Sequence, residues 1–158
     1  MPAISSLKDE LEATYGFEID EHLRKQSARI SYCAGLARHG VKPRHRARMV
    51  GFMCEALHKV DCSAQTFFRA VDLLDMYFEA ATECVPQCEL HLLGLACMLI
   101  ASKYEDRFPL PVDVLRCKVA HSDYSIDDIL QMELDILAAL NFRVGARPTL
   151  LELAERDL

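Results

Sequence analysis

Apolar residues recur at helical spacing in five segments of the chain, and no stretch alternates as a half-buried strand would. The first segment, about 46–60, sets Met49, Val50, Met53, Leu57 and Val60 on one stripe. The second, about 63–81, is striped by Ala64, Phe67, Phe68, Val71, Leu74 and Phe78, with Ser63 placed as its N-cap. The third, about 89–106, is apolar on every face from Leu92 to Ala101. A helix with no polar side must be surrounded by others, so this segment is expected to be the hub. A shorter helix is expected over 111–120, because Pro111 suits a first helical position. The fifth starts after Ser125, where Asp128 supplies an aspartate version of the capping box, and runs to about Leu140. An amphipathic stretch at about 19–36 reads as a separate N-terminal helix, and Gly40-Val-Lys-Pro43 as a linker. After Asn141 and Gly145 the chain turns, and Arg147-Pro148-Thr149 opens a last short segment. The pattern thus predicts an all-α bundle around one buried hub helix. Its expected organisation is an N-terminal extension with one helix over 1–42, a bundle over 43–144, and a linker or further helix over 145–158.

Four charges fall where that pattern asks for hydrophobes. Arg46 shares the stripe of Met49, Val50 and Met53, and Asp75 that of Val71, Leu74 and Phe78. Lys103 continues the hub face of Ala96, Leu99 and Ile100, and Glu133 stands between Ile129, Leu130 and Ile136, Leu137. An unpaired charge in such a place costs several kcal/mol, so each must be paired internally or border a surface that a partner covers. Lys103 lies at the emergent end of its helix, beside Tyr104, Glu105 and Asp106. Lys and Glu are rarely fully buried, which favours the partner-facing reading for Lys103 and Glu133 and the internal one for Arg46 and Asp75.

Composition narrows the function classes. A chain of 158 residues that is 51% apolar and 27% charged has the make-up of one globular domain able to hold a core without disulfides or metal. Its longest apolar run is about half of what a membrane span needs. The N-terminus lacks the basic and apolar regions of a secretory signal. Acidic residues outnumber basic ones 24 to 18, for a charge of −6, which argues against binding nucleic acid by phosphate attraction. Seven cysteines form no framework spacing, and Cys54 and Cys97 fall inside helical patterns, where a thiol acts as a small hydrophobe. An intracellular, reducing setting is expected, in nucleus and cytoplasm, with no cofactor.

The residues that carry the out-of-pattern charges also carry a resemblance. Arg46-Ala-Arg-Met-Val-Gly-Phe52, the stretch 66–78 ending Leu-Leu-Asp75-Met-Tyr-Phe, Leu90-His-Leu-Leu-Gly94, Met98-Leu-Ile-Ala-Ser-Lys103-Tyr-Glu105 and Met132-Glu133-Leu together resemble the cyclin box, over about 43–144. Residues 17–26 also look like the helix that precedes the box in mitotic and S-phase cyclins. The resemblance implies a five-helix bundle that does no chemistry itself. Instead it activates a cyclin-dependent protein kinase by packing on the kinase C-helix and controls cell-cycle progression. It implies that Lys103 and Glu133 hydrogen-bond the kinase main chain, that Tyr104, Ile100 and Leu137 pack against the same element, and that Arg46 and Asp75 form a structural ion pair.

It also implies a substrate-docking patch at Phe52, Glu55 and Leu90, within His45-Arg46-Ala-Arg48-Met49-Val-Gly51-Phe52. Here Arg48 replaces an apolar residue of the family pattern, which weakens the case for Arg-x-Leu-type substrates. A second box is absent from these 158 residues, which therefore read as a fragment or a single-box cyclin. Two other readings compete. Glu55-Ala-Leu-His58 is one Glu-x-x-His motif where a di-iron bundle needs two and two further glutamates, and Cys84-x3-Cys88 lacks a second metal-binding pair. The run Lys42-Pro-Arg44-His-Arg46-Ala-Arg48 would suit a transcription-type cyclin-fold factor or an import signal, but it also reads as a solvated helix start. A cyclin-fold adaptor for a partner other than a kinase is the stronger alternative.

Overall fold

The computed structural model describes residues 32–156 and 158, together with positions 16, 18, 21, 22 and 25. Most of the helix expected over 19–36, and of the segment 17–26, lies outside the described residues. The described residues form helices and no strand: α1 (Tyr32–Arg38), α2 (Pro43–Lys59), α3 (Ala64–Ala80), α4 (Leu90–Glu105) after a 3-10 turn (Gln87–Glu89), α5 (Val112–Val114), α6 (Ile126–Ala139) and α7 (Leu150–Arg156). Ser31–Val144 form one compact unit that holds α1 to α6, and α7 lies in a second. The sequence reading put α1 in the extension; it packs on α3 inside the first unit.

α4 is the hub. Every residue from Leu93 to Ser102 is buried, and α2, α3 and α6 all pack on it. Burying a Leu or Met side chain stabilises by about 1.5–3 kcal/mol, so this one helix supplies a large part of the core. Two glycines allow the closest approaches. A Cβ on Gly94 would collide with the Met49 Cε that lies across it from α2, and a Cβ on Gly35 would come within 3.2 Å of the Phe78 carbonyl on α3. Helix ends follow the expected chemistry. The Ser63 hydroxyl accepts the Thr66 N–H at 3.3 Å, and Ser125 and Asp128 close a reciprocal capping box at 3.0 Å each way. α2 starts at Pro43, three residues before the expected 46, because its first turn is basic and carries no apolar period.

Three expectations change. The buried residues of α3 are Thr66, Arg69, Ala70, Asp72, Leu73, Leu74, Asp75 and Phe78, while Ala64 is exposed and Phe67, Phe68 and Val71 are half-buried. The two Phe rings, edge to face at 5.2 Å, flank the core instead of facing it. The helix expected over 111–120 is one α-turn that widens into a π-helical stretch, Leu115–Val119, which brings Leu115 and Val119 onto the core. Cys54 is exposed; Cys97 is, among the described residues, the thiol inside the core, where burial pushes its pKa well up.

Asp106 ties three elements together just past the hub. Its carboxylate accepts from the Ser63 hydroxyl at 2.8 Å and the Ser102 hydroxyl at 2.9 Å, while Ser102 Oγ accepts the Leu110 N–H at 2.7 Å. The adjacent Cys62 thiol is pushed up to about 11 by burial and by this carboxylate. Burial opposes the Asp106 charge, but hydrogen bonds from Thr66, Ser63 and Ser102 outweigh it and hold its carboxyl below the ordinary value. A lowered carboxyl stabilises the fold above the unfolded-state pKa, and that contribution is lost as pH falls through the folded one. Asp106→Asn is therefore expected to cost about 1–2 kcal/mol at pH 7, the worth of weakened charge-assisted bonds at a partly exposed site. In urea titrations between pH 7 and pH 3, the gap between variant and parent should close only below about pH 4. A gap that stays constant with pH would show that the carboxylate charge contributes nothing.

Candidate functional site

α4 stays buried through Ser102 and leaves the bundle at Lys103 and Tyr104. There the Lys103 ammonium reaches α6 and donates to both carboxylate oxygens of Glu133, at 2.6 and 2.9 Å. The lysine side chain is 47% exposed and the glutamate 10%. The lysine therefore faces outward, while the glutamate, expected to do the same, is turned inward. Glu133 stands one turn from Ile129 and Ile136, whose burial in the core carries its stem inward. The pair is open on one side. An ammonium has three N–H donors, so one remains after the carboxylate has taken two.

Nearby positions on α4, α6 and the turn after α6 leave apolar side chains wholly or partly in solvent. Tyr104 is 55% exposed, Leu134 is comparably exposed and Leu137 is half-buried. Phe142, which the sequence reading did not single out, is 67% exposed in the turn after α6, and its N–H donates to the Leu137 carbonyl at 2.8 Å. Asn141 and Phe142 both adopt left-handed backbone, φ 50° and 58°, at about 1–2 kcal/mol each for residues with a Cβ. That conformation accompanies the turn that leaves the ring in solvent. Ile100 is placed differently from expectation: it is buried in the hub, under the surface that it was expected to line.

The geometry beneath Tyr104 depends on a residue that helical patterning missed. Arg69 on α3 is buried, with Nε 2.8 Å from Glu105 Oε1 and a terminal nitrogen 3.8 Å from Asp72 Oδ2. Its guanidinium sits 5.3 Å from the Tyr104 ring centroid. The exit of the hub helix is thus held by a buried cation from the neighbouring helix. Arg46 and Asp75 form a second bridge, a bidentate pair with both contacts at 2.7 Å, between α2 and α3.

Of the residues assigned to substrate docking, Glu55 is exposed, Phe52 is half-buried and Leu90 is buried under the surface. Phe52 instead starts an aromatic row: its ring lies 4.8 Å from His91, which lies 5.6 Å from Tyr124. Burial lowers the pKa of His91, so the neutral imidazole is favoured there. Among the described residues, no three His, Cys, Asp or Glu side chains gather in a way that could hold a metal ion.

A buried hub helix, packed on by three others and surfacing at a half-open charge pair, defines a helical domain of the cyclin-box type. The sequence matches the family "Cyclin, N-terminal domain" over residues 17–145, and the chain belongs to that family. It is 29% identical to cyclin-A1-4 of Oryza sativa subsp. japonica, over 89% of this chain and 39% of that protein. It is 36% identical to cyclin-A3-2 of Arabidopsis thaliana, over 70% of this chain and 28% of that protein. With the G2/mitotic-specific cyclin-B of Spisula solidissima it shares 34% identity, over 71% of this chain and 25% of that protein. The chain thus spans between a quarter and two fifths of the length of these curated relatives. The fold is that of the crystallised viral cyclin from herpesvirus saimiri, with a TM-score of 0.67 at 21% identity, over 80% of this chain and 55% of that one.

Proposed function

We propose that the chain is a non-catalytic regulatory subunit that binds a cyclin-dependent protein kinase at the exit of α4 and stabilises its active conformation, in the service of cell division. The observation that carries this reading is the Lys103–Glu133 pair, open to solvent on the lysine side, with exposed Tyr104 next to the lysine on α4 and half-buried Leu137 one turn from the glutamate on α6. The kinase C-helix supplies the apolar counterface, and main-chain carbonyls at its end take the uncommitted lysine N–H. Binding energy spent there selects the active kinase conformer; the chain contributes no reacting group. An intracellular site of action, in nucleus and cytoplasm, goes with this role.

The test replaces both charges together, because removing one partner alone would leave the other charge half-buried and destabilise the fold. Lys103→Ala with Glu133→Ala is expected to keep the helical circular dichroism and a cooperative melt. Its affinity for a cyclin-dependent kinase should fall at least about thirtyfold, the lower end for truncating desolvated interface charges. Normal kinase binding by a folded double variant would overturn the assignment.

A further inference from the structure

The chain has five tyrosines, at 15, 32, 77, 104 and 124. Of the tyrosine side chains that are described, Tyr77 and Tyr124 are half-buried, and burial raises the pKa of both hydroxyls. Tyr104 is the exposed one. It stands in the last turn of α4, which ends at Glu105, and two acids follow it, Glu105 and Asp106. Burial in α4 stops at Ser102, so laying Tyr104 into an enzyme as extended chain opens only a helix end that holds no core side chain. Charge around the ring is divided. The Arg69 guanidinium lies 5.3 Å from its centroid, and Lys103 precedes it with one N–H uncommitted. Glu105 and Asp106 follow it along the chain, and Glu133 lies across the Lys103 bridge.

We propose that Tyr104 is a phosphorylation site, and that its modification on the free chain closes the kinase-binding surface. The closing role rests on the reading of the α4 exit as that surface. The modifying enzyme is a protein tyrosine kinase with a basic peptide site, the complement of Glu105 and Asp106. In the transfer, Tyr104 Oη forms a bond to the γ-phosphorus of ATP as the bond from that phosphorus to the β,γ-bridging oxygen breaks. ADP leaves with the electron pair, and the hydroxyl proton passes to the modifying enzyme's base. The product carries about −1.5 to −2 charges at pH 7, placed where a partner must expel water. Desolvation of that charge, and repulsion from Glu105 and Glu133, both oppose docking. The fold itself tolerates the dianion, because Arg69 lies beneath the ring and Lys103 beside it. A phosphate that draws Lys103 also draws it away from Glu133. A bound cyclin-dependent kinase covers Tyr104, so docking and modification exclude each other.

The experiment incubates the full chain with ATP, Mg²⁺ and a tyrosine kinase selective for acidic peptides, beside a synthetic peptide of residues 99–110. Mass spectrometry maps the phosphate. Peptide and folded chain should both be modified at Tyr104, and a saturating cyclin-dependent kinase should protect the chain. The phosphorylated chain should keep a cooperative melt and bind the cyclin-dependent kinase at least about tenfold more weakly than the unmodified one. Tyr104→Phe chain, treated and untreated, should bind alike, which assigns the loss to this residue and not to another tyrosine. The proposal is overturned if Tyr104 stays unmodified in the folded chain, whether or not the peptide is modified. It is overturned equally if the phosphorylated chain binds as tightly, if it loses its cooperative melt, or if treatment weakens Tyr104→Phe as much. Weakened binding of neither form separates the two readings: with the unmodified chain binding, only the phosphorylation switch falls. An unmodified chain that binds no cyclin-dependent kinase overturns the partner assignment, and the closing role with it.

Discussion

Replacing Arg69 with alanine is expected to lower the stability of the bundle by about 3–5 kcal/mol, the usual result of removing one partner from a buried ionic group. The melting temperature should fall by roughly 6–20 °C, at about 2–4 °C per kcal/mol for a domain of this size. The size of the effect comes from what stays behind. Arg69 is buried between Asp72 on its own helix and Glu105 in the last turn of the hub, and both carboxylates are largely shielded from water. Without the guanidinium they would face each other's field in a weakly screened setting. Lysine is a poor substitute, because a single ammonium cannot address two carboxylates and the Tyr104 ring as a planar fork does. Arg69→Lys is therefore expected to recover less than half of the loss. Thermal melts followed by circular dichroism, with kinase binding measured well below the melting point, separate two roles. A purely structural residue would leave binding by the folded fraction unchanged. A residue that positions Tyr104 and Glu105 would weaken it several-fold, because those side chains border the Lys103 opening.

Arg69 also marks the limit of what the chain's pattern reveals. The hub was legible because an apolar run on every helical face can only be interior, and both serine caps were legible because their partners lie three residues along. The four out-of-pattern charges were legible as exceptions, but periodicity does not say which charge meets which. That Lys103 meets Glu133 and Arg46 meets Asp75 is decided by the packing of α6 on α4 and of α2 on α3. On α3 the aromatic residues drew the expected stripe toward Phe67 and Phe68. The helix instead turns Arg69 and Thr66 inward with Ala70 and Leu73, because small and paired polar groups pack tightly where two rings do not. Phe142 left no signal, since the helical period ends at Leu140 and the exposure of the ring accompanies two left-handed residues in a turn. The π-helical widening at Leu115–Val119 is invisible for the same kind of reason: it departs from the period being read.

The Arg46–Asp75 bridge should respond asymmetrically to substitution, and burial sets the direction. Asp75 is 3% exposed and close enough to Cys97 that its charge helps raise that thiol's pKa, while Arg46 is 27% exposed at the surface end of the pair. Arg46→Met leaves a carboxylate in the core facing a thiol and apolar side chains, and should cost about 3–5 kcal/mol. Asp75→Ala leaves an arginine whose long stem can swing its head into water, so only the charge-assisted bonds are lost, about 1.5–3 kcal/mol. The double variant Arg46→Met, Asp75→Ala has no stranded charge and should be more stable than Arg46→Met alone, by at least about 1 kcal/mol. Urea denaturation of the four proteins, analysed as a double-mutant cycle, measures all three quantities together. If Asp75→Ala proved the costlier single change, the arginine would be the member that the core holds captive. The bridge would then stabilise the fold by restraining α2, and not by neutralising a charge that α3 has carried inside.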